Sequence, residues 1–304
     1  MLYEAVERAA YEARPRILVL DDRVTALAAL RRYLDSGEPG AMRLIRGLWR
    51  EQAAAVTPKM AEWMLSIRAL PAALADEWFV QATELWEEKL EALVEAALQA
   101  AGERMARRIN ETRKEAFTLD VTGASVVRWM TAAGGALIRE LSASQAASIN
   151  ALLQHQVFIG ITSPYHLAPM IRPMVGLLRR EALAVARYRV ELTASGLAAG
   201  KIDALVGKYA SHLHRARAER IARTELSNAY NHGQLEAMRQ ARDEGYIAEV
   251  RKTWQTAIDE LTCPECSALD GETVGLDENF TGGLESPPAH PHCRCSVTYQ
   301  AARR

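Results

Sequence analysis

The sequence predicts a mainly α protein, with a helical-bundle body followed by a small C-terminal α+β module. Three observations predict it. Ala and Leu abound in a chain that is 49% hydrophobic but only 6% aromatic, a balance that favours helix over sheet. Apolar residues recur at steps of three and four through most of the chain before Gly245. Beyond Gly245 this pattern gives way to one strand-like run and several turn-rich stretches, and all four cysteines fall there, between 263 and 295. A chain of 304 residues can bury a sizeable core in one large or two medium domains.

Taken in order, Ile17 to Leu20 is a short apolar run that reads equally as a strand or as a buried helical turn. Helix-like stretches follow, separated by the turn signal SGEPG at 36–40. From Pro71 to Phe117 the sequence predicts one long helix. Pro71 suits its first turn, and Trp78, Ala82, Trp86, Leu90, Leu93, Ala97, Ala101 and Met105 form its apolar stripe. That helix reads as part of a packed bundle, or as an arm docking against other subunits. TLDVTG at 118–123 is a break. Helices are then expected at about 124–140, 143–158, 164–177, 179–195, 198–215 and 217–244, with Ser142 and Ser163 at starts and Gly160 and Gly196 after ends. Short connections between them imply antiparallel neighbours. Val250 to Ala257 reads as a strand. The remainder, rich in Gly, Pro and Asp, buries too little apolar surface to order itself by packing alone.

Charge and targeting signals narrow the function classes. A formal net charge of −1 and a pI near 6.7 give no global attraction to nucleic acid or an anionic membrane. Arg107-Arg108 and Arg179-Arg180 read as solvated faces. No apolar run approaches the roughly 18 residues of a membrane helix, and the start lacks a signal-peptide pattern, so a soluble, unsecreted protein is expected. Phosphate-loop, nucleophile-elbow and HExxH motifs do not occur.

Four cysteines confined to one short segment, with histidines alongside, point to a metal in a reducing compartment rather than to disulfides. Cys263 and Cys266 form a C-x-x-C knuckle, two thiolates on one tight turn. His290 and Cys293 repeat the spacing about two dozen residues later. Together they offer Cys3His, a tetrahedral set suited to a structural zinc ion whose binding energy doubles as folding energy. In an extended strand Cys295 would face the same side as Cys293, but about 6–7 Å further along. One ion takes both only if the chain turns there. The ligand set read from the spacing is therefore Cys263, Cys266, His290 and Cys293, with Cys295 in place of His290 as the alternative. His292 is read as exposed or as a supporting group. Glu265 could serve a catalytic zinc, but a zinc-deaminase order fails because no H-x-E precedes the C-x-x-C pair. With so much sulfur in the set, a structural ion is preferred.

Residues 217–244 carry polar groups at unusual places: Thr224, Asn228 and Asn231 share a side with Leu235 and Met238, flanked by Arg223 and Glu225. This predicts a partly buried hydrogen-bond network that binds the backbone of the neighbouring loops, with a catalytic or ligand site as the other reading.

The order IARTE…N…A at 221–237, Trp254, DELTCPEC and LDG at 259–271, then PPAHPHCRC at 287–295, resembles the phage Mu protein F-like family of minor head (head morphogenesis) proteins. The run from 178 to 225 is similar to the region preceding that motif in the family. The resemblance covers about residues 120–300, which implies two domains: a helical region at 1–119 for portal or capsid contacts, and a Mu F-like head morphogenesis domain at 120–304 with its zinc motif at 263–295. It implies a non-enzymatic virion component, assembled in the host cytoplasm, bound at or near the portal, and in some relatives ejected with the DNA. The implied partners are the portal protein, the major capsid protein or scaffold, and packaged DNA. The family's cysteines and histidine carry over to Cys263, Cys266, His290, Cys293 and Cys295, and its RTE helix to Arg223, Thr224 and Glu225. No toxin domain of the kind some relatives carry after the motif is expected. One departure is the Glu-Leu before Thr262, where members often have Arg. Two other readings are a nucleic-acid-binding module using the zinc hairpin and Arg294, and a zinc hydrolase using Glu265.

Overall fold

The computed structural model describes residues 17–111, 116–155, 158 and 161–303. The N-terminal stretch before Ile17 and the Gly160 stop signal lie outside these residues. Among the described residues the chain is mainly helical with one small sheet, and no helix is long and apolar enough to cross a membrane. It divides into two compact units, each discontinuous in sequence. The first comprises residues up to Asp35, Val94–Gly134 and Leu226 onward; the second comprises Ser36–Leu93 and Gly135–Glu225. Neither unit coincides with the 1–119 and 120–304 division.

The first unit holds the sheet. Its strands are β1 (Ile17–Val19), β2 (Ile247–Gln255), β3 (Thr273–Gly275) and β4 (Ser296–Arg303), in the order β1-β4-β2-β3 and all antiparallel. Ile17–Val19 is thus a strand, pairing Ile17 with Ala302. A bulge between Ala248 and Arg251 resets β2 so that Val250, Lys252 and Trp254 face inward. The ammonium of Lys252 donates to the Glu285 carbonyl (2.8 Å) and lies over the Phe280 ring, and burial lowers its pKa to about 8. Trp254, Val297, Tyr299 and Phe280 pack with Met105, Ile109, Phe117, Leu235 and Met238 into one core. That corrects the expectation that the C-terminal segment buries too little to order itself: the helices before it supply the missing apolar surface.

The second unit is helical. It includes α2 (Pro58–Ile67), α6 (Ala136–Arg139), α7 (Leu141–Leu153), α8 (Pro164–Ile171), a 3-10 turn (Arg172–Met174) and α9 (Arg179–Ala194), packed around Trp78, Met64, Ile149, Phe158, Leu167 and Val185. Thr57 caps α2 through the Met60 amide, and Pro58 fills its first turn. Ser163 and Pro164 begin α8 as expected, although the Ser163 hydroxyl makes no capping bond. Ser142 lies inside α7 and is not its start. Gly196, at φ +74°, follows the end of α9.

Two predicted breaks do not occur. Helix α1 (Arg23–Ala54) runs straight through SGEPG. Pro39 is exposed, so the carbonyl it leaves unbonded can take water, while Leu34, Glu38, Ala41 and Ile45 keep the buried stripe unbroken. The long helix from residue 72 is also continuous, but not uniform. A π-helical turn (Trp86–Leu90) joins α3 (Ala72–Leu85) to α4 (Glu91–Asn110). Buried Trp78, Ala82, Trp86, Leu90 and Val94 recur at intervals of four. In a pure α-helix each such step drifts by about 40°; the wide turn absorbs the drift and brings Val94, not the predicted Leu93, inward. The described helix ends at Asn110, whose side-chain amide both donates to and accepts from the Phe117 backbone at 2.8 Å. Helix α5 (Ala124–Ala132) follows the predicted TLDVTG break. Finally, α10 (Ala199–Asp243) is one helix of 45 residues where two were expected, because no Gly or Pro stands at 216 to stop it. Its residues from Leu226 to Met238 are all buried except Asn228.

Candidate metal centre

The site lies in the first unit, on two loops of irregular backbone. The first loop ends in α11 (Pro264–Leu269), a helix too short to persist alone. Cys263 is its N-cap: the thiol accepts the Cys266 amide (3.3 Å), and Pro264 fills the first turn. The capping bond lowers the Cys263 pKa and turns both sulfurs of the knuckle toward one point. The second loop turns at Pro291 and His292, closed by the Cys293 amide donating to the His290 carbonyl (3.1 Å). His292 takes a left-handed backbone there, φ +64°.

Between these loops the structure brings together Cys263, Cys266 and His290, and separately Cys266, Cys293 and Cys295, with the ligand atoms of each trio within 4.8 Å of one another. Cys266 is common to both. The His290 Nε2 lies 3.1 Å from the Cys263 sulfur and 3.1 Å from the Cys266 sulfur, and the Cys266 and Cys293 sulfurs are 3.7 Å apart. His292 belongs to neither trio. The expected separation of Cys295 from Cys293 is not found: the two sulfurs lie within 4.8 Å of each other.

Protonation follows from the surroundings. His290 Nδ1–H donates to the Pro291 carbonyl (2.8 Å), which fixes the tautomer and leaves Nε2 bare toward the sulfurs. Burial lowers the His290 pKa, but this bond and the neighbouring thiolates outweigh it and the net shift is upward. A hydrogen bond with Cys295 pulls Cys293 down to about 6. Burial, with the charge on Cys293, pushes Cys266 up to about 12. Three soft sulfurs and one bare imidazole nitrogen form a donor set that fits a tetrahedral metal ion. The cavity over the cluster is about 20 Å³, room for one water or ion.

Two supports were not read from the sequence. Arg294 makes a bidentate pair with Asp259 (2.7 and 2.5 Å), tying the His290–Cys295 loop to the loop before Cys263. This pair holds the Asp259 carboxyl down at about 2. Asp270 accepts from both the backbone and the hydroxyl of Thr256, and from Arg23 (2.9 Å). An acidic residue before a C-x-x-C knuckle and an Arg between two cysteines were the available signals.

The polar residues of α10 do contact a neighbouring loop, at Asn231. Its amide donates to the Ser227 carbonyl (3.0 Å) and the Cys295 carbonyl (3.4 Å), and its oxygen accepts the Ser296 hydroxyl (3.0 Å). In the second unit, Arg223 pairs with Glu38 (3.0 Å) and Glu225 accepts the Leu137 amide (2.6 Å), so both serve packing. His232 stacks on Trp129 at 4.4 Å in the first unit, and burial lowers its pKa to about 4.

The family model for phage Mu protein F like protein matches residues 165–298, which runs from α8 into the start of β4 and takes in the whole cysteine-histidine cluster. Residues 165–298 form a Mu F-like segment. The match begins later than the expected residue 120. The Minor head protein GP7 of Bacillus phage SPP1 is 32% identical over 133 residues, covering 37% of this chain and 42% of that relative. The chain thus spans well under half the length of the curated relative it matches. No solved structure matches it. Both the asparagine network and all five candidate ligands lie inside the Mu F-like segment.

Proposed function

We propose that this protein is a phage minor head protein, a virion component acting in head morphogenesis at or near the portal, with a structural zinc ion held by Cys263, Cys266, His290 and Cys293. The observation that carries the reading is the Mu F-like segment itself, together with a relative named as a minor head protein. The partners proposed are the portal protein, with the major capsid protein or scaffold, and packaged DNA; ejection with the DNA belongs to the same proposal. Ligands of a tetrahedral zinc ion lie about 3.3–3.8 Å apart, near the 3.1 Å from His290 Nε2 to the Cys263 and Cys266 sulfurs and the 3.7 Å between the Cys266 and Cys293 sulfurs. Cys293 is not within 4.8 Å of both Cys263 and His290, so it must draw toward that pair on binding. Zinc here would join two loops and supply no chemistry.

A hydrolase reading has less support. Glu265 is solvent-exposed, and the cavity above the cluster has no room for a substrate. A nucleic-acid interface at the hairpin is likewise disfavoured, because Arg294 is committed to Asp259. Reconstruction of procapsids from cells producing the tagged chain tests the main reading. Density at the portal vertex and co-purification with the portal are expected. A chain that stays free of particles would overturn it.

A further inference from the structure

The second unit contains a cleft of about 230 Å³ between α1, the 3-10 turn at 172–174 and α10. We propose that this cleft binds a phosphate group. Arg46, Arg50 and Arg172 all line it, and no carboxylate does. Among the described residues none of the three guanidinium groups is in an ion pair, so all three positive charges at the cleft are uncompensated by a neighbouring acid. Three cations thus stand around one opening with no acid in its lining. Like charges gathered this way repel unless an anion joins them.

The walls support the same ligand. The Arg172 Nε donates to the Val56 carbonyl (2.9 Å), which anchors the guanidinium at the rim. Arg46 reaches the Ser211 hydroxyl at 3.5 Å, so a second donor stands beside it. Gly207 lies within α10, where glycine costs helix stability relative to alanine. A Cβ there would meet nothing within 4 Å, so packing does not require glycine; its effect is to keep the cleft open.

Three planar guanidinium forks suit a ligand with several oxygens and more than one negative charge better than a single carboxylate. The phosphate could be that of a small phosphorylated molecule or the diester of a nucleic acid.

The test uses the full chain with two probes, pyrophosphate by calorimetric titration and a short labelled DNA duplex by fluorescence anisotropy, at low and moderate salt. Wild type is compared with Arg46→Gln/Arg172→Gln and with Gly207→Leu, which fills the cleft without removing charge. Thermal melts report whether each variant is folded. Binding of at least one probe, weakened about tenfold or more by both variants, is expected. Loss for pyrophosphate identifies a small-molecule site, and loss for the duplex alone identifies a nucleic-acid contact. Failure of wild type to bind either probe, or unchanged binding in folded Gly207→Leu, overturns the proposal.

Discussion

Arg294 joins two loops that have no continuous secondary structure between them, so the approach of the two ligand pairs depends on single side chains. Replacing it with Gln leaves every candidate ligand in place. Metal affinity is nonetheless expected to fall about 10–100-fold, read by competition with a chromogenic chelator. Asp259, its partner, has a folded pKa near 2 against an ordinary 3.8. A depressed carboxylate contributes stability that is fully present above its unfolded value and lost as pH falls through the folded one. Denaturant melts of wild type and Asp259→Asn should therefore differ above about pH 4 and converge toward pH 2. The ligand set has its own test, metal content by mass spectrometry of purified variants. Cys263→Ser, Cys266→Ser, Cys293→Ser and His290→Gln should lose zinc while Cys295→Ser keeps it; the reverse result at 290 and 295 exchanges the fourth ligand. The sequence alone proposes these residues because two x-x spacings are local. It leaves the fourth ligand open because the approach of Cys295 to Cys293 depends on irregular backbone at 293–295 that carries no glycine or turn signal.

At the scale of elements, periodicity identified nearly every helix and misplaced several ends. SGEPG reads as a turn by composition, yet the apolar stripe on either side of it is in phase, and that stripe prevailed. The all-round burial of α10 from Leu226 to Met238 was harder to see, since a helix without a polar face has little periodicity to read. Within the first unit this burial depends on Gly233, where an added Cβ would lie 2.1 Å from the Leu98 carbonyl oxygen. Alanine normally improves a helix by about 1 kcal/mol. Here the backbone clash should dominate, and Gly233→Ala is expected to destabilise by about 1–3 kcal/mol in urea melts. Asn231→Leu should cost about as much, by leaving the Ser296 hydroxyl and the Cys295 carbonyl short of a partner.

For the whole molecule, the two interleaved units were the least legible feature. Three residues at 17–19 complete a sheet whose other strands begin at 247, and nothing local to either segment signals the pairing. Leu18, Leu20, Met105, Ile109 and Phe117 all enter the core beneath that sheet. A fragment of residues 120–304 lacks all five, and it is expected to show no cooperative thermal transition and strong binding of a hydrophobic dye. A sharp melt from that fragment would show instead that the C-terminal sheet and α10 suffice.

Arg23 and Asp270, joined by an ion pair, are 247 residues apart in the chain. A ribosome adding about 5–20 residues each second needs about 12–50 s to travel that distance. Throughout that interval β1 and the start of α1 have emerged while the strands and carboxylate they join do not yet exist. Residues 17–23 must wait, unpaired, for residues about 230–280 positions further on, and the cell has that long in which a chaperone or an assembling partner can hold them.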